Sequence, residues 1–219
     1  MIKEIVFISA STGFYEAIAI IDAMNAVELR YKVIAILDDN PETHGKIMRG
    51  VTVVGALDLA KNYTDAYFIF GIGSMKTRLI REQILKKLDI DTSRFISIIH
   101  PTAVIDSSAK IGNGCIIHPG ACIGNDVVIE PFVTIAVNSA IAPYVHINSF
   151  SMITSLVVIL SYAKIGKSVF IASCSCITEN VEIGNGSMIG AGTVVSRNID
   201  KGSFFLGNPG RLISKIEIE

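Results

Sequence analysis

The sequence predicts an α/β N-terminal domain with a small parallel sheet, followed by a left-handed parallel β-helix of hexapeptide repeats. Two observations predict this fold class. Isoleucine recurs at every sixth position from Ile105 onward, and Val195 closes the series without a slip. Before that series, β-branched runs alternate with amphipathic helical patterns. The pattern changes near His100, which divides the chain into residues 1–98 and residues 99–219.

The N-terminal domain is predicted to contain five short strands, each an apolar run that ends in a turn signal. They span residues 4–9, 32–37, 51–54, 66–70 and 95–99. One helix is expected after the first strand, with Ile18, Ile21, Ala23 and Met24 on its apolar side, and a second over residues 75–89. Strands that alternate with helices indicate a parallel, doubly wound sheet.

Ligands of such sheets bind beyond the carboxyl ends of the strands. That rule places residues 9–13, the pair Asp38 and Asp39, and residues 71–73 around one crevice. Residues 9–13 form a small polar loop before a helix, and free N–H groups at a helix start can bind a phosphate. Two plainer interpretations stay open, since the loop also fits an ordinary strand-to-helix turn and the aspartates also suit a turn.

The hexapeptide series predicts a triangular solenoid, because neither a helix nor a hairpin requires a period of six. Each unit supplies one short strand and one turn, and three units close a coil of 18 residues. The repeated aliphatic residue points inward, so that Ile105 lies under Ile123. Small residues two positions before each isoleucine suit the corners, and glycines one position after it suit the turns. Val128, Val157 and Val158 are expected on the outer walls.

The composition excludes several classes of function. The chain has 19 Lys and Arg against 20 Asp and Glu, so no electrostatic footprint for nucleic acid is expected. It contains no run of about 18 apolar residues, so no membrane span is expected. The four cysteines form no CxxC pair and no trio of histidines has a ligand spacing, which predicts no metal site. Reduced, packed cysteines fit a cytoplasmic protein.

Five segments, taken in order around the repeat, carry a resemblance to a known family. Three of them lie in the N-terminal domain, at residues 37–41 (Leu-Asp-Asp-Asn-Pro), 50–55 (Gly-Val-Thr-Val-Val-Gly) and 70–73 (Phe-Gly-Ile-Gly). Residues 97–105 enter the β-helix, and residues 207–211 (Gly-Asn-Pro-Gly-Arg) leave it. Over essentially its whole length, the chain resembles the bacterial nucleotide-amino-sugar acetyltransferases, which include bacillosamine-pathway N-acetyltransferases and sialic acid O-acetyltransferases.

The resemblance implies an acyl-CoA-dependent N-acetyltransferase that acts on a nucleotide-activated amino sugar for surface-glycan biosynthesis. It implies a Rossmann-like sugar-nucleotide-binding domain at residues 1–98 and an acyltransferase domain at residues 99–219. It also implies a homotrimer, with acetyl-CoA as co-substrate in the groove between neighbouring β-helices. The substrate-binding residues that follow are Ser11, Gly13, Asp38, Asp39, Gly55, Gly71 and Gly73. The acyl-CoA-binding residues that follow are Met152, Ser173 and Ala191.

The match fails at the family's general base, a histidine in the turn two residues after an inward aliphatic residue. The unbroken period assigns that turn to Pro143, which cannot accept a proton. The family's second histidine falls on Met152. The catalytic residue is therefore unassigned, with His146 as the fallback because it lies on the same coil as Pro143. His100 and His118 are expected to be ordinary surface histidines.

Two rival functions stay open, an O-acetyltransferase of a sugar or sialic acid and a non-catalytic relative that binds a sugar nucleotide. A general base contributes about 10²–10⁴-fold to a rate, and a sugar hydroxyl needs that help at neutral pH. An amine with a pKa of about 7.7–8.0 is already partly neutral there. The missing histidine therefore favours N-transfer over O-transfer.

Overall fold

The computed structural model describes residues 2–218 and confirms the predicted fold class. The N-terminal sheet consists of β1 (Lys3–Ile8), β2 (Tyr31–Leu37), β3 (Ile47–Met48), β4 (Val51–Gly55) and β5 (Tyr67–Phe70). Its strand order is β3-β4-β2-β1-β5, and every pair is parallel except β3 with β4. The sequence does not predict β3, because two residues between Lys46 and Arg49 are too few to show a strand pattern.

Both faces of this sheet are covered, as the doubly wound prediction requires. The helices are α1 (Thr12–Val27), α2 (Arg81–Leu88) and short 3-10 segments at Pro41–Thr43, Leu57–Asn62 and Thr92–Arg94. Alternate residues of a strand point to opposite faces. Ile5 and Phe7 pack on the side of α1, whereas Val6 and Ile8 pack on the side of α2 and the Leu57–Asn62 segment.

The second helix is shorter than the predicted residues 75–89, because it begins only at Arg81. The Ser74 N–H donates to Oγ1 of Thr77 at 3.0 Å, and the Thr77 N–H donates to Oγ of Ser74 at 3.1 Å. Such local side-chain bonds compete with helical hydrogen bonds and hold residues 75–80 as turns.

The apolar face of α1 also differs from the prediction. Its buried residues are Phe14, Ala17, Ile20 and Ile21. Of the four predicted positions only Ile21 is fully buried, and the predicted Ile18, Ala23 and Met24 are partly buried. The helix leans its N-terminal half onto the sheet, so the buried stripe starts earlier than the apolar pattern suggests.

The strand predicted over residues 95–99 is divided between the two parts of the molecule. Phe95 forms a single parallel bridge with Phe68. In contrast, β6 (Ile98–Ile99) pairs with β9 (Ile116–Ile117) of the β-helix, while Ile98 packs in the same core as α1. One short segment therefore serves both units, and the division at residues 98 and 99 stays a prediction.

The β-helix has three flat walls of stacked strands, which are parallel except for the final pair of the third wall. The first wall consists of β7 (Val104–Ile105), β10 (Cys122–Ile123), β13 (Ala140–Ile141), β16 (Val158–Ile159), β19 (Cys176–Ile177) and β22 (Val194–Val195). The second wall consists of β8 (Lys110–Ile111), β11 (Val128–Ile129), β14 (His146–Ile147), β17 (Lys164–Ile165) and β20 (Glu182–Ile183). The third wall consists of β6, β9, β12 (Thr134–Ile135), β15 (Met152–Ile153), β18 (Phe170–Ile171), β21 (Met188–Ile189), β23 (Ser203–Leu206) and β24 (Arg211–Lys215).

The predicted register of 18 residues between coils is confirmed. Ile123 pairs with Ile105 on one side and with Ile141 on the other. The second residue of each two-residue strand points inward, and so does the residue two positions before it. For that reason the prediction for Val157 is wrong, since its side chain is fully buried, whereas the neighbouring Val158 is 38% exposed.

The left-handed backbone positions lie at the third residue after each inward aliphatic residue, not at the first. Phe132, Tyr144 and Phe150 occupy such positions with φ near +63°. The glycines at the first position have another reason to be small. A β-carbon on Gly112 would lie 2.6 Å from the backbone nitrogen of Pro131 in the next coil. Close stacking of coils, and not a turn conformation, therefore selects glycine there.

A buried arginine joins the two parts. Arg81 of α2 is 2% exposed. Its Nη1 donates to the carbonyl oxygen of Phe150 at 2.7 Å, and its Nη2 donates to that of Phe132 at 3.0 Å. The guanidinium also lies 5.7 Å from the ring centre of Phe70. Burial lowers the pKa of Arg81 to about 10, so it is still charged at neutral pH. These contacts of Arg81, which we call the clasp, hold the N-terminal domain against the corner between the second and third walls.

All four cysteines are free thiols, but not all of them are packed inside the walls of the β-helix. Cys115 is buried, and that burial raises the pKa of its thiol to about 11. Cys122 and Cys174 are exposed, which corrects the expectation that all four are packed.

Among residues 2–218, no helix combines the length and the apolar content needed to cross a membrane.

Candidate active site

A cleft of about 540 Å³ lies where the N-terminal domain meets the third wall. The domain contributes the first turns of α1 and the loop of residues 73–75. The β-helix contributes outward side chains of the third wall, Thr134, Met152 and Phe170, and the corner that follows this wall. We call this cavity the interdomain cleft. A smaller extension of about 60 Å³ continues from it towards Gly71 and Arg81.

A second cavity of about 480 Å³ lies at the carboxyl edge of the N-terminal sheet, where the sequence predicts the ligand crevice. Its lining includes Ser11, Thr12, Tyr15, Thr43 and Lys46. We call this cavity the sheet crevice. Thr12 lines both the sheet crevice and the interdomain cleft, so the two cavities meet at the start of α1.

The start of α1 presents free backbone donors at that meeting point. Ser11 is the N-cap residue, yet its side chain makes no capping hydrogen bond, and the first turn carries no acidic residue. The Phe14 N–H donates to the carbonyl oxygen of Ser11 at 3.1 Å, whereas the N–H groups of Thr12 and Gly13 have no partner within the described residues. Ser9, just before the loop, has a φ of 102°, a conformation that non-glycine residues seldom adopt. Unused donors at the positive end of a helix dipole, with Lys46 across the crevice, suit an anionic group.

Asp38 and Asp39 organise the loops beside the crevice. Oδ2 of Asp38 accepts from the Ala10 N–H at 2.6 Å, and Oδ1 accepts from the Asn40 N–H at 2.8 Å. Oδ1 of Asp39 accepts from the Leu57 N–H at 2.9 Å. Neither aspartate lines the sheet crevice, so the geometry supports the turn-forming interpretation that the sequence left open. Their direct contact with a ligand stays a prediction.

The predicted glycines fall into two groups. Gly13 and Gly73 line the interdomain cleft, where a β-carbon on Gly73 would lie 3.1 Å from Cε of Met152. Gly55 and Gly71 are small for packing reasons. A β-carbon on Gly55 would lie 2.6 Å from Leu59, and one on Gly71 would overlap the ring of Phe7. Gly13 and Gly73 therefore lie where they could contact a substrate in the cleft. Substrate contact stays a prediction for all four glycines.

The three predicted acyl-CoA residues follow the cleft upward along the β-helix. Met152 lines the cleft itself. Ser173 and Ala191 lie one and two coils beyond Ser155, at the corner between the third and first walls, and Ser155 also lines the cleft. Oγ of Ser173 lies 3.1 Å from Oγ1 of Thr154. Ser173 and Ala191 thus continue a corner column that starts beside the cleft, and Met152 lies on the adjoining third wall; their role in acyl-CoA binding stays a prediction.

Pro143 and His146 lie away from the cleft. Pro143 lies in the corner between the first and second walls, which is opposite the third wall in the triangular section. His146 faces outward from the second wall, with Nε2 3.4 Å from Oε1 of Glu130. Neither residue lines the interdomain cleft of its own chain. Only a neighbouring chain would bring the base position of the family to this cavity.

His118 is not the ordinary surface histidine that the sequence predicts. It is 7% exposed, lines the interdomain cleft and its extension, and has Nε2 3.9 Å from Oε2 of Glu16 on α1. Burial lowers the pKa of His118, an effect that Glu16 opposes and His100 strengthens. The available signal was that His100 and His118 stand 18 residues apart, each directly after an inward isoleucine. Among residues 2–218, no cluster of three or more histidine, cysteine or acidic side chains suits a metal ion.

Two sequence matches bear on this site. Residues 99–203 match the GMPPB C-terminal domain family. The UDP-N-acetylbacillosamine N-acetyltransferase of Bacillus subtilis is 30% identical over 88 residues, which are 39% of this chain and 39% of that protein. The chain thus matches about two fifths of the length of this curated relative.

Solved structures share the fold over nearly the whole chain. The acetyltransferase domain of PglB from Neisseria gonorrhoeae, in complex with acetyl coenzyme A, superimposes with a TM-score of 0.83 and 22% identity, covering 97% of this chain and 100% of that one. A mutant of perosamine N-acetyltransferase from Caulobacter crescentus, in complex with CoA and GDP-perosamine, gives a TM-score of 0.81 and 20% identity, covering 98% and 99%. The comparisons confirm the resemblance to sugar acetyltransferases.

Proposed function

We propose that the protein transfers the acetyl group of acetyl-CoA to the amine of a nucleotide-linked amino sugar, as a step in surface-glycan biosynthesis. The observation that carries this proposal is the meeting of the two cavities at the start of α1. The sheet crevice, with its free helical N–H groups and Lys46, suits the phosphates of a nucleotide. The interdomain cleft then receives the sugar, beside Met152 of the third wall and the corner residues Ser173 and Ala191 that we assign to acetyl-CoA.

The names of the similar proteins support the same substrates. The curated relative is named for a UDP-linked sugar amine, and the perosamine enzyme was solved with CoA and a GDP-linked amino sugar. Proximity is the main aid that such a site gives to an amine, since holding two reactants in line removes much of the entropic barrier. This division of labour assigns the nucleotide to residues 1–98 and the acyl donor to residues 99–219.

Purified protein is expected to release free coenzyme A thiol when acetyl-CoA is mixed with nucleotide 4-amino sugars. The product should gain one acetyl group by mass and should resist hydroxylamine, because an amide survives that treatment and an ester does not. Lys46→Ala should raise the KM for the sugar nucleotide about tenfold, the size of one lost charge-assisted hydrogen bond. Lys61→Ala, on the same domain but outside the sheet crevice, is the matched control.

Three results would redirect the assignment. A hydroxylamine-labile product would favour the O-acetyltransferase. Absence of thiol release with every amino sugar, together with retained nucleotide binding, would favour the non-catalytic relative. A KM unchanged by Lys46→Ala would remove the nucleotide from the sheet crevice.

We further propose a homotrimer with the β-helices side by side. Its support is the exposed apolar surface of the first wall and its adjoining corner, with Val104 66%, Tyr144 47%, Val158 38% and Tyr162 53% exposed. Tyr144 and Tyr162 stack at 4.9 Å beside Pro143. A copy covering this corner brings the Pro143 turn of one chain towards the cleft of the next.

Light scattering at micromolar concentration should give three times the chain mass of 23.5 kDa. Val158→Asp, which adds a charge to the first wall, should shift the population towards monomer while leaving the melting temperature of the isolated fold nearly unchanged. A monomeric wild-type protein at that concentration would contradict both the trimer and a site shared between chains.

A further inference from the structure

Three titratable side chains line the interdomain cleft within residues 2–218, namely Glu16, His100 and His118. His100 is already engaged, because its Nδ1 accepts from the Thr102 N–H at 3.1 Å and lies 2.8 Å from Oγ1 of Thr102. Glu16 has 65% of its side chain exposed. Only His118 is both enclosed and without a hydrogen-bond partner in the described part of the chain.

The position of His118 matches the place where a proton must leave. Its ring lines the cleft together with Met152, which we assign to the acyl donor, and with the backbone of Gly13 and Gly73. Glu16 reaches the same ring from α1. The cluster therefore joins an imidazole, a carboxylate and the predicted acyl position across the two parts of the molecule.

We propose that His118 is the proton acceptor of acetyl transfer, with Glu16 as its positioning residue. The inference rests on the proposed function. It assigns to the third wall the role that Pro143 cannot play. His146, the fallback that the sequence predicts, lies on the second wall and does not line this cleft.

The proposed step is an ordinary acyl transfer from a thioester to an amine. The amine nitrogen attacks the thioester carbonyl carbon, and a carbon–nitrogen bond forms. The imidazole of His118 takes the proton that the nitrogen loses. When the tetrahedral intermediate collapses, the carbon–sulfur bond breaks and the coenzyme thiolate recovers that proton. Glu16 stabilises the transient imidazolium, since an opposite charge about 4 Å away favours the charged form.

The pH dependence of this arrangement follows from the charges around the ring. Glu16 faces it from α1, His100 from the preceding coil, and Arg81 from the far end of the small extension. Burial lowers the pKa of His118 below its ordinary value of about 6.5. The imidazole is consequently neutral, and ready to accept a proton, throughout the neutral range.

The test compares His118→Gln with wild type in steady-state acetyl transfer, with His146→Ala as the control. His118→Gln should lower kcat by about 10²-fold or more with little change in either KM, and His146→Ala should retain most activity. The difference in kcat between His118→Gln and wild type should shrink at acidic pH, because wild-type His118 is then protonated and can no longer accept a proton. Glu16→Gln should move the acid limb of the wild-type profile to lower pH, because its carboxylate raises the pKa of His118. A merely structural histidine would not produce either pH effect.

Each alternative result has one meaning. An active wild type whose rate survives both His118→Gln and His118→Met within threefold would overturn the inference and leave the proposed function intact. A wild type that acetylates none of the amino sugars would overturn both. If His118→Gln fails to fold, His118→Met supplies the comparison, since methionine fills a similar volume without titrating.

Discussion

Replacing Arg81 by alanine is expected to lower the free energy of unfolding by about 3–5 kcal/mol. The substitution leaves the carbonyl oxygens of Phe132 and Phe150 buried without their donors, and each such loss costs about 1–3 kcal/mol. The space between the rings of Phe70 and Phe150 also opens. Urea unfolding followed by circular dichroism measures the change.

Lys86→Ala is the matched control for Arg81, because it lies on the exposed side of the same helix. Its ion pair with Glu82, at 3.2 Å and one helical turn away, should contribute about 0.3–0.5 kcal/mol. Arg81→Met separates the two contributions at Arg81, since it keeps most of the side-chain volume and loses only the donors. Two resolved unfolding transitions in the alanine variant would indicate that the domains have become independent. A loss below about 1 kcal/mol for Arg81→Ala would show that the clasp does not couple them.

Two neighbouring residues of β17 should differ sharply in their effect on stability. Ile165 is fully buried and stacks between Ile147 and Ile183, so Ile165→Ala should cost about 2–5 kcal/mol. Ile165→Asp should prevent folding of the β-helix, because an unpaired charge inside the coil has no partner. Lys164 points outward to Glu182 at 2.7 Å, and Lys164→Ala should cost about 0–1 kcal/mol.

The same urea titration checks this pair. Equal losses for Ile165→Ala and Lys164→Ala would contradict the assignment of inward and outward positions in the second wall. The same pair of inward and outward substitutions in another coil would then test the register of the solenoid.

The β-helix was predictable from the sequence because its register depends on local spacing alone. Once Ile105 is inward, every sixth residue must follow. The structure departs from the prediction at Val157, which also points inward, and in the conformation of the turns. Phe132 and Phe150 adopt left-handed backbone angles that their residue type disfavours, and their rings stack at 5.1 Å. These backbone conformations depend on contacts with neighbouring coils, which the type of a single residue does not reveal.

The N-terminal domain and the site were harder to predict because they depend on contacts between distant residues. Nothing near His118 in the sequence reveals that α1 covers it, since Glu16 lies 102 positions earlier in the chain. The start of α2 likewise depends on the side-chain bonds of Ser74 and Thr77. Of residues 9–13, Ala10, Ser11 and Thr12 line the sheet crevice, because strand ends in a parallel sheet share one edge, whereas Gly13 lines the interdomain cleft. Their contact with a ligand stays a prediction.

The column formed by Pro119, Val137, Ser155, Ser173 and Ala191 makes the length of the site adjustable only in discrete steps. Successive coils are separated by the spacing of paired strands, about 4.8 Å, so four steps span about 19 Å. Inserting a whole coil of 18 residues above Ser155 would lengthen the column by one step and keep every side chain on its own wall. An insertion of 6 or 12 residues within the coils would instead move the column to another corner, away from the cleft. Relatives that bind longer or shorter acyl donors are therefore expected to differ by whole coils along this edge.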